Sequence, residues 1–334
     1  MAAESAWYLS QLRAELLWRS RRHAHGKAHV ESYGSPSVIV FAPEEDRHGN
    51  FFDPAYAAIL KNPAWMRRFN KVHTLGSRNL PRADRRWREL DSSMSSDALL
   101  MNAFCTPGVA ESAAVRNLLG VDPDATLDFG WKARVPMRSG RFDRTEVDLR
   151  FGSLLIEAKL TETDFQSCPL SVVEAYRDFD TVFERQLLPR VELPIARPRR
   201  MSEFPEDYSQ ESESVLGDPN SVSVIDPVVS APTIPGYASY QLIRNVLAAW
   251  ASECSFCVLH DARRPDLREE WFRVMAAVKG AELRARLKVL TWQELAVYLP
   301  TELQAFLDAK YGIVAPGNLP SPISELSADD LAAI

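Results

Sequence analysis

Residues 144–160, RTEVDLRFGSLLIEAKL, constrain what this chain can fold into more tightly than any other stretch. Gly152-Ser153 separates two runs with the alternation of β-strands, and glycine at the first central position of a two-residue loop suits a type II′ turn. That turn sets the register. Phe151 opposes Leu154, so Asp148 faces Glu157 and Glu146 faces Lys159. Opposed residues share a side of the sheet, with Cβ atoms roughly 5 Å apart. One face then carries Glu146, Asp148, Glu157 and Lys159, and the other Val147, Leu149, Ile156 and Ala158. Facing carboxylates repel, the more so where apolar neighbours lower the dielectric. A divalent cation relieves that conflict, and hard oxygen donors without a His or Cys cluster favour Mg2+, with Mn2+ as a substitute, over Zn2+. Lys159 reaches the same face and can orient an attacking water or stabilise charge on a phosphate. Two carboxylates, a lysine and a metal suit phosphodiester hydrolysis. The plainer reading is a hairpin with a Glu146–Lys159 ion pair and solvated acids. The apolar flanks of LLIEAKL, which mark a central strand, argue against it.

The elements around this hairpin read as follows. Residues 1–30 are helical in pattern, and 35–42 form a short strand or buried turn. A helix over 54–70 is broken by Pro63, which lacks the amide donor and clashes with the preceding turn. Ser95 caps a helix over 96–105, and a second helix over about 109–119 stops at Gly120. Residues 127–135 alternate as a strand. Helical spacing returns at 171–187, 237–251, 266–279 and 292–311, with strands at 256–260 and 287–290. Residues 189–236 hold eight prolines, many serines and six acids without a base between Glu203 and Asp218, which reads as an irregular insertion. The order is that of an α/β sandwich around a mixed sheet.

Charge is unevenly spread. The chain of 334 residues has a net charge of −6, yet residues 1–90 carry +6 and the remainder −12. The densest basic stretch, 61–90, holds nine Lys and Arg against two acids, interleaved with Trp65, Phe69 and Trp87. Arg67, Arg68, Lys71, Arg85 and Arg86 are its candidate contacts to a phosphate backbone. The same stretch also reads as a solvated helical face with buried tryptophans. No apolar run is long enough to span a membrane, the N-terminus lacks a signal-peptide pattern, and four cysteines make no disulfide framework. The expected compartment is the cytoplasm.

The strand-borne acid Asp148 followed by Glu157-Ala158-Lys159 resembles the motif of the PD-(D/E)XK nuclease superfamily, the restriction-endonuclease-like fold. The element order over 109–160 and 237–260 is similar to that of the superfamily, and the block EAKLTETDF with YQLIRN downstream looks like a poorly characterised bacterial branch. The resemblance covers roughly 91–300. It implies an α/β/α sandwich with a central mixed sheet, preceded by a basic, mainly helical extension over 1–90 and followed by a loose tail over 313–334. It implies that Asp148, Glu157 and the carbonyl of Ala158 bind Mg2+ and that Lys159 assists the nucleophile. Glu111 is the candidate for a further acid from the first core helix, since Ala114, Val115 and Leu118 extend an apolar stripe from it; it also reads as a first-turn glutamate favoured by the helix dipole. Asp97 is its rival, read as structural because it follows a cap. Gln241 stands where related nucleases carry a glutamine, though the Gln-x-x-x-Tyr spacing is not kept.

The resulting expectation is a Mg2+-dependent DNA endonuclease. A homodimer and a methyltransferase encoded nearby are the partners a restriction role implies. The alternatives are a nucleic-acid-binding protein that keeps the fold without the chemistry, and a zinc hydrolase. Cys254 and Cys257, three apart on a strand, point to opposite faces and read as buried thiols rather than half a zinc knuckle. His260-Asp261 lacks a nucleophile motif and reads as a loop histidine.

Overall fold

Strand pairing in the computed structural model, which describes residues 2–32, 37–71, 88–144, 146–194 and 232–316, begins at the glycine turn. Gly152 has a φ of 59° and Ser153 is not among the residues of positive φ, as a II′ turn requires. Three antiparallel strands follow one another: β1 (Leu127–Lys132), β2 (Glu146–Phe151) and β3 (Leu154–Ala158). Phe151 pairs with Leu154, Arg150 with Leu155 and Leu149 with Ile156, the register read from the turn. Strands β4 (Ser255–His260) and β5 (Leu287–Thr291) then add in parallel, giving one five-stranded mixed sheet in chain order, β1-β2-β3-β4-β5. β3 is buried along its whole length and β4 along nearly all of it, which explains their apolar runs.

The helices that matter are α1 (Ala2–His23), α2 (Asp53–Lys61), α3 (Pro63–Phe69), α4 (Ser96–Phe104), α5 (Ala113–Leu119), α6 (Tyr240–Ala251), α7 (Pro265–Ala276) and α8 (Thr301–Tyr311). They cover both faces of the sheet. Leu149, Ile156 and Leu259 pack with α1, α4, α5 and α8, while Leu155, Phe256 and Val258 pack with α6 and α7. Parallel neighbours need a crossover, and α6 and α7 are helices of those crossovers. The architecture is therefore α/β with a central mixed sheet, as expected. Cys254 and Cys257 are buried and free, one in each of the two cores.

Several elements differ from the sequence reading. Val147 packs with the α6 side rather than with Leu149 and Ile156. In place of one helix over 171–187 there are two short turns of helix, Leu170–Val173 and Phe179–Val182. The reason is tertiary: Tyr176 bridges to Met137, and the Arg177 amide donates to the Pro136 carbonyl, so the backbone between them is spent on another segment. The ends of the Pro-rich insertion are ordered. Arg190–Pro194 pairs with Thr233–Ala238, which also pairs with Ser167–Pro169. The helix over 292–311 divides into Trp292–Ala296 and α8, which begins just after Pro300. His260 is no loop residue: it ends β4, buried, with Nδ1 on the Asp261 carbonyl. The basic N-terminal part is packed into the molecule, with Leu12 and Leu16 of α1 in the same core as Leu303 and Leu307 of α8.

Candidate active site

The register brings the motif residues together. Asp148 stands in the middle of β2, and its Oδ2 accepts a 2.8 Å hydrogen bond from the Ala158 amide on β3. Glu157 lies on β3, and Lys159 follows the end of that strand, its amide donating to the Leu259 carbonyl of β4. Both are 3% exposed, so neither is a solvated surface group. Lys159 Nζ is 3.0 Å from Glu157 Oε1 and donates to Gln241 Oε1 at 2.8 Å. It also lies 5.4 Å from the centre of the Phe165 ring. Gln241 is thus brought to the site on the first turn of α6, one turn before Asn245, whose Nδ2 donates to Glu157 Oε2 at 2.9 Å. The β2–β3 ladder ends at Leu149–Ile156, so the expected oppositions of Asp148 with Glu157 and of Glu146 with Lys159 are not paired positions, and the ion pair of the plainer reading does not form: Lys159 bonds Glu157 and Gln241, and Glu146 bonds Arg68 and Lys71.

Those cations come from the basic segment. Arg68 of α3 is buried, with Nη2 2.7 and 2.6 Å from the two carboxylate oxygens of Asp97 and Nη1 2.5 Å from Glu146 Oε1. The same Nη2 stands 3.6 Å from Asp148 Oδ1. Lys71 pairs with Glu146 at 2.9 Å and with Glu89 at 3.2 Å. Arg68 therefore belongs inside the site and not on an exposed DNA-facing surface; Lys71 is already paired, and Arg67 alone of the described candidates is exposed and has no ion pair among the described residues. Arg85 and Arg86 lie outside the described residues.

Glu111 does not join the site. Ser112 is the N-cap of α5 and accepts from the Val115 amide, so Glu111 precedes the helix and is exposed, and the stripe it was expected to share begins after it. The acid that a helix does bring close is Asp97 on the first turn of α4, 6% exposed and joined to Asp148 through Arg68. Gly130 was missed altogether. The β1–β2 register places it opposite Asp148, where it has a φ of 67°, and a Cβ there would fall 2.9 Å from Arg68 Nη1. A glycine inside an alternating strand is the sequence signal for such a close approach.

Electrostatics follow from this crowding. Burial pushes the Asp148 carboxyl well above the usual range, and the charges of Glu157 and Asp97 add to the effect. Burial alone would lower Lys159 and Arg68, but surrounding carboxylates outweigh it and raise both: Glu157, Glu162 and Asp148 for Lys159, and Asp97 and Asp148 for Arg68. Glu146 is held below its usual range because the Lys71 and Arg68 hydrogen bonds outweigh its burial.

The donor set fits a hard divalent cation. Asp148 and Glu157 offer carboxylate oxygens, and the buried Oδ1 of Asn245 has no hydrogen-bond partner. Among the described residues no three His, Cys, Asp or Glu side chains form a complete cage. Mg2+ does not need one, since it takes one or two carboxylates and completes its shell with water and substrate phosphate. Among the described residues no group of His and Cys side chains stands together as a zinc site of N and S ligands would.

A family model described as "Restriction Endonuclease associating with ARP" matches residues 12–312. The chain belongs to this restriction-endonuclease family. No curated protein and no solved structure matches it. The family match runs from α1 to just past α8, so it includes the basic N-terminal part that the motif resemblance did not cover. In this member of the family, α3 supplies Arg68, α4 supplies Asp97 and α6 supplies Gln241 and Asn245 around the β2–β3 acids. No helix among the described residues is long and apolar enough to cross a membrane.

Proposed function

We propose that this chain is a Mg2+-dependent DNA endonuclease of the PD-(D/E)XK type, with Mn2+ able to replace Mg2+. The observation that carries the reading is the convergence of Asp148, Glu157 and Lys159 with Gln241 and Asn245 at the centre of the sheet. Asp148 and Glu157 would hold the cation, with the Ala158 carbonyl as the third protein ligand that the motif implies. When bound, Mg2+ supplies charge neutralisation at the scissile phosphate. The residues of the chain do the rest. Asn245 fixes the orientation of Glu157 through its amide, and the Ala158 amide fixes that of Asp148. Lys159 is positively charged and held between Glu157 and Gln241, where its ammonium can orient an attacking water by a hydrogen bond or stabilise charge on a phosphoryl oxygen. Gln241 limits where its ammonium can sit.

The test is cleavage of supercoiled plasmid by the purified chain in Mg2+, in Mn2+ and in EDTA, beside Asp148→Ala and Glu157→Ala. Nicking or linearisation in either metal that stops in EDTA and in both variants is expected. Binding without cleavage in any metal would favour the non-catalytic reading, and a variant that cuts at the wild-type rate would remove its residue from the site.

A further inference from the structure

A cavity of about 310 Å3 opens between α3 and β1. It shares a wall with the acid site, because Arg68 and Glu146 line it and Arg68 Nη2 is 3.6 Å from Asp148 Oδ1. Its apolar side is Trp65 of α3 and Phe129 of β1, edge to face at 89° with ring centres 6.1 Å apart. Its cations at the solvent side are Arg67 and Lys132. Both are exposed, and among the described residues neither has an ion pair or hydrogen bond of its own. Asp128 also lines it, while the charge of Glu146 is met by Arg68 and Lys71.

Aromatic rings beside uncommitted cations are the pairing that takes a nucleotide, with the base against the rings and the phosphate against the cations. The volume is at the lower end for a small-ligand pocket and far too small for a duplex. Resting on the nuclease reading above, we propose that this cavity receives one unstacked nucleotide of the DNA strand being cut. The base lies against Trp65 and Phe129, and its phosphate lies against Arg67 and Lys132. Arg68 then separates this nucleotide from the acids that act on the backbone, which gives that buried arginine a place at the boundary of two subsites.

The experiment is a binding titration of the full chain in EDTA, by anisotropy, with two labelled single strands: a hexamer of thymidine and an abasic hexamer with the same phosphates. The wild type is expected to bind the thymidine hexamer about ten-fold more tightly, the size of one base stacked on an aromatic side chain. Trp65→Ala should abolish that preference and Trp65→Phe should keep most of it. Because Trp65 is partly buried, Arg67→Glu with Lys132→Glu is the second variant; both positions are exposed, so the fold is undisturbed. It should weaken both hexamers by at least ten-fold and flatten the salt dependence, each lost phosphate contact lowering the slope by about 0.7 for a single strand. Equal binding of the two hexamers by the wild type, or an unchanged double variant, overturns the proposal. The readout needs no catalysis. A protein that prefers the thymidine hexamer but cuts nothing in metal supports this subsite and refutes the nuclease reading; one that cuts plasmid but binds both hexamers equally does the reverse.

Discussion

Lys159 shows how one side chain's neighbours define its role. It is 3% exposed and held by Glu157 and Gln241, so it cannot lie along an extended phosphate backbone as a surface lysine does. Lys159→Ala should therefore lower the cleavage rate by about a hundred-fold or more, the scale of a lost proton-transfer or charge-stabilising group, and leave DNA affinity within a few-fold. Single-turnover cleavage and a filter-binding titration on the same preparation check it; lost affinity at an unchanged rate would move Lys159 to the contact surface. Asp148 carries the opposite burden. Its carboxyl is raised by burial and by the Glu157 and Asp97 charges, so its ionised form costs stability at neutral pH. Asp148→Asn keeps the acceptor for the Ala158 amide and removes the charge. In EDTA at neutral pH it should melt about 2 °C above the wild type. A lower Tm would mean that the Arg68 attraction outweighs the repulsion.

At the level of elements, α3 matters because of where it delivers Arg68. Asn62 caps this helix, accepting from the Ala64 and Trp65 amides, and Pro63 at its first position fits the fixed φ of a helix start. Arg68→Ala leaves Asp97 buried without its partner and should cost about 3–5 kcal/mol by urea denaturation. Adding Asp97→Asn should recover part of that loss, and no recovery would show that Arg68 acts through packing or Glu146 instead. Pro194 pairs with Thr233, so the chain enters and leaves 195–232 at adjacent points. Deleting 203–230 shortens a connection whose flanking residues are already held together, at little entropic cost, and the removed stretch has acids and no base. Cleavage should stay within about two-fold of the wild type, measured as a plasmid time course. An inactive deletion would make the segment part of the working site.

Across the whole molecule, α1 and α8 close one side of the sheet together. Beyond their shared core, Arg263 joins Glu15 of α1 to Asp261 at the end of β4 and donates to the Tyr311 carbonyl of α8. Lys310 of α8 is fully buried and donates to the carbonyl and side chain of Asn50 and to the Tyr311 hydroxyl. Burial, together with the Lys27 charge, holds its ammonium well below the ordinary lysine range. The unfolded chain then binds a proton that the folded chain resists, so stability falls as pH drops below the ordinary lysine value of about 10.4. Between pH 7 and 9.5 the wild type should gain stability relative to Lys310→Met, read as the change in urea midpoint. Equal changes in the two proteins would show that the native amine is charged.

What the sequence determined by itself is local. Gly152-Ser153 fixed a two-residue turn, and the turn fixed the register of the three pairs from Phe151–Leu154 to Leu149–Ile156, which brings Asp148 alongside the strand that carries Glu157. Capping residues and prolines set helix ends in the same way, as at Ser95, Pro63 and Gly120. The tertiary structure decided what depends on segments far apart in the chain. Arg68 lies 29 residues from Asp97 and 78 from Glu146, and no spacing rule joins them. A basic stretch looks the same in sequence whether its cations face DNA or neutralise buried acids, since only packing settles which of them is desolvated. Glu111 failed for a related reason: its helical stripe presumed a start that the Ser112 cap moved past it. Residues of α4 and α5 share one core with Leu149 and Phe151 of β2, so helical pattern could not choose between Glu111 and Asp97; Arg68, from a distant segment, is what links Asp97 to Asp148.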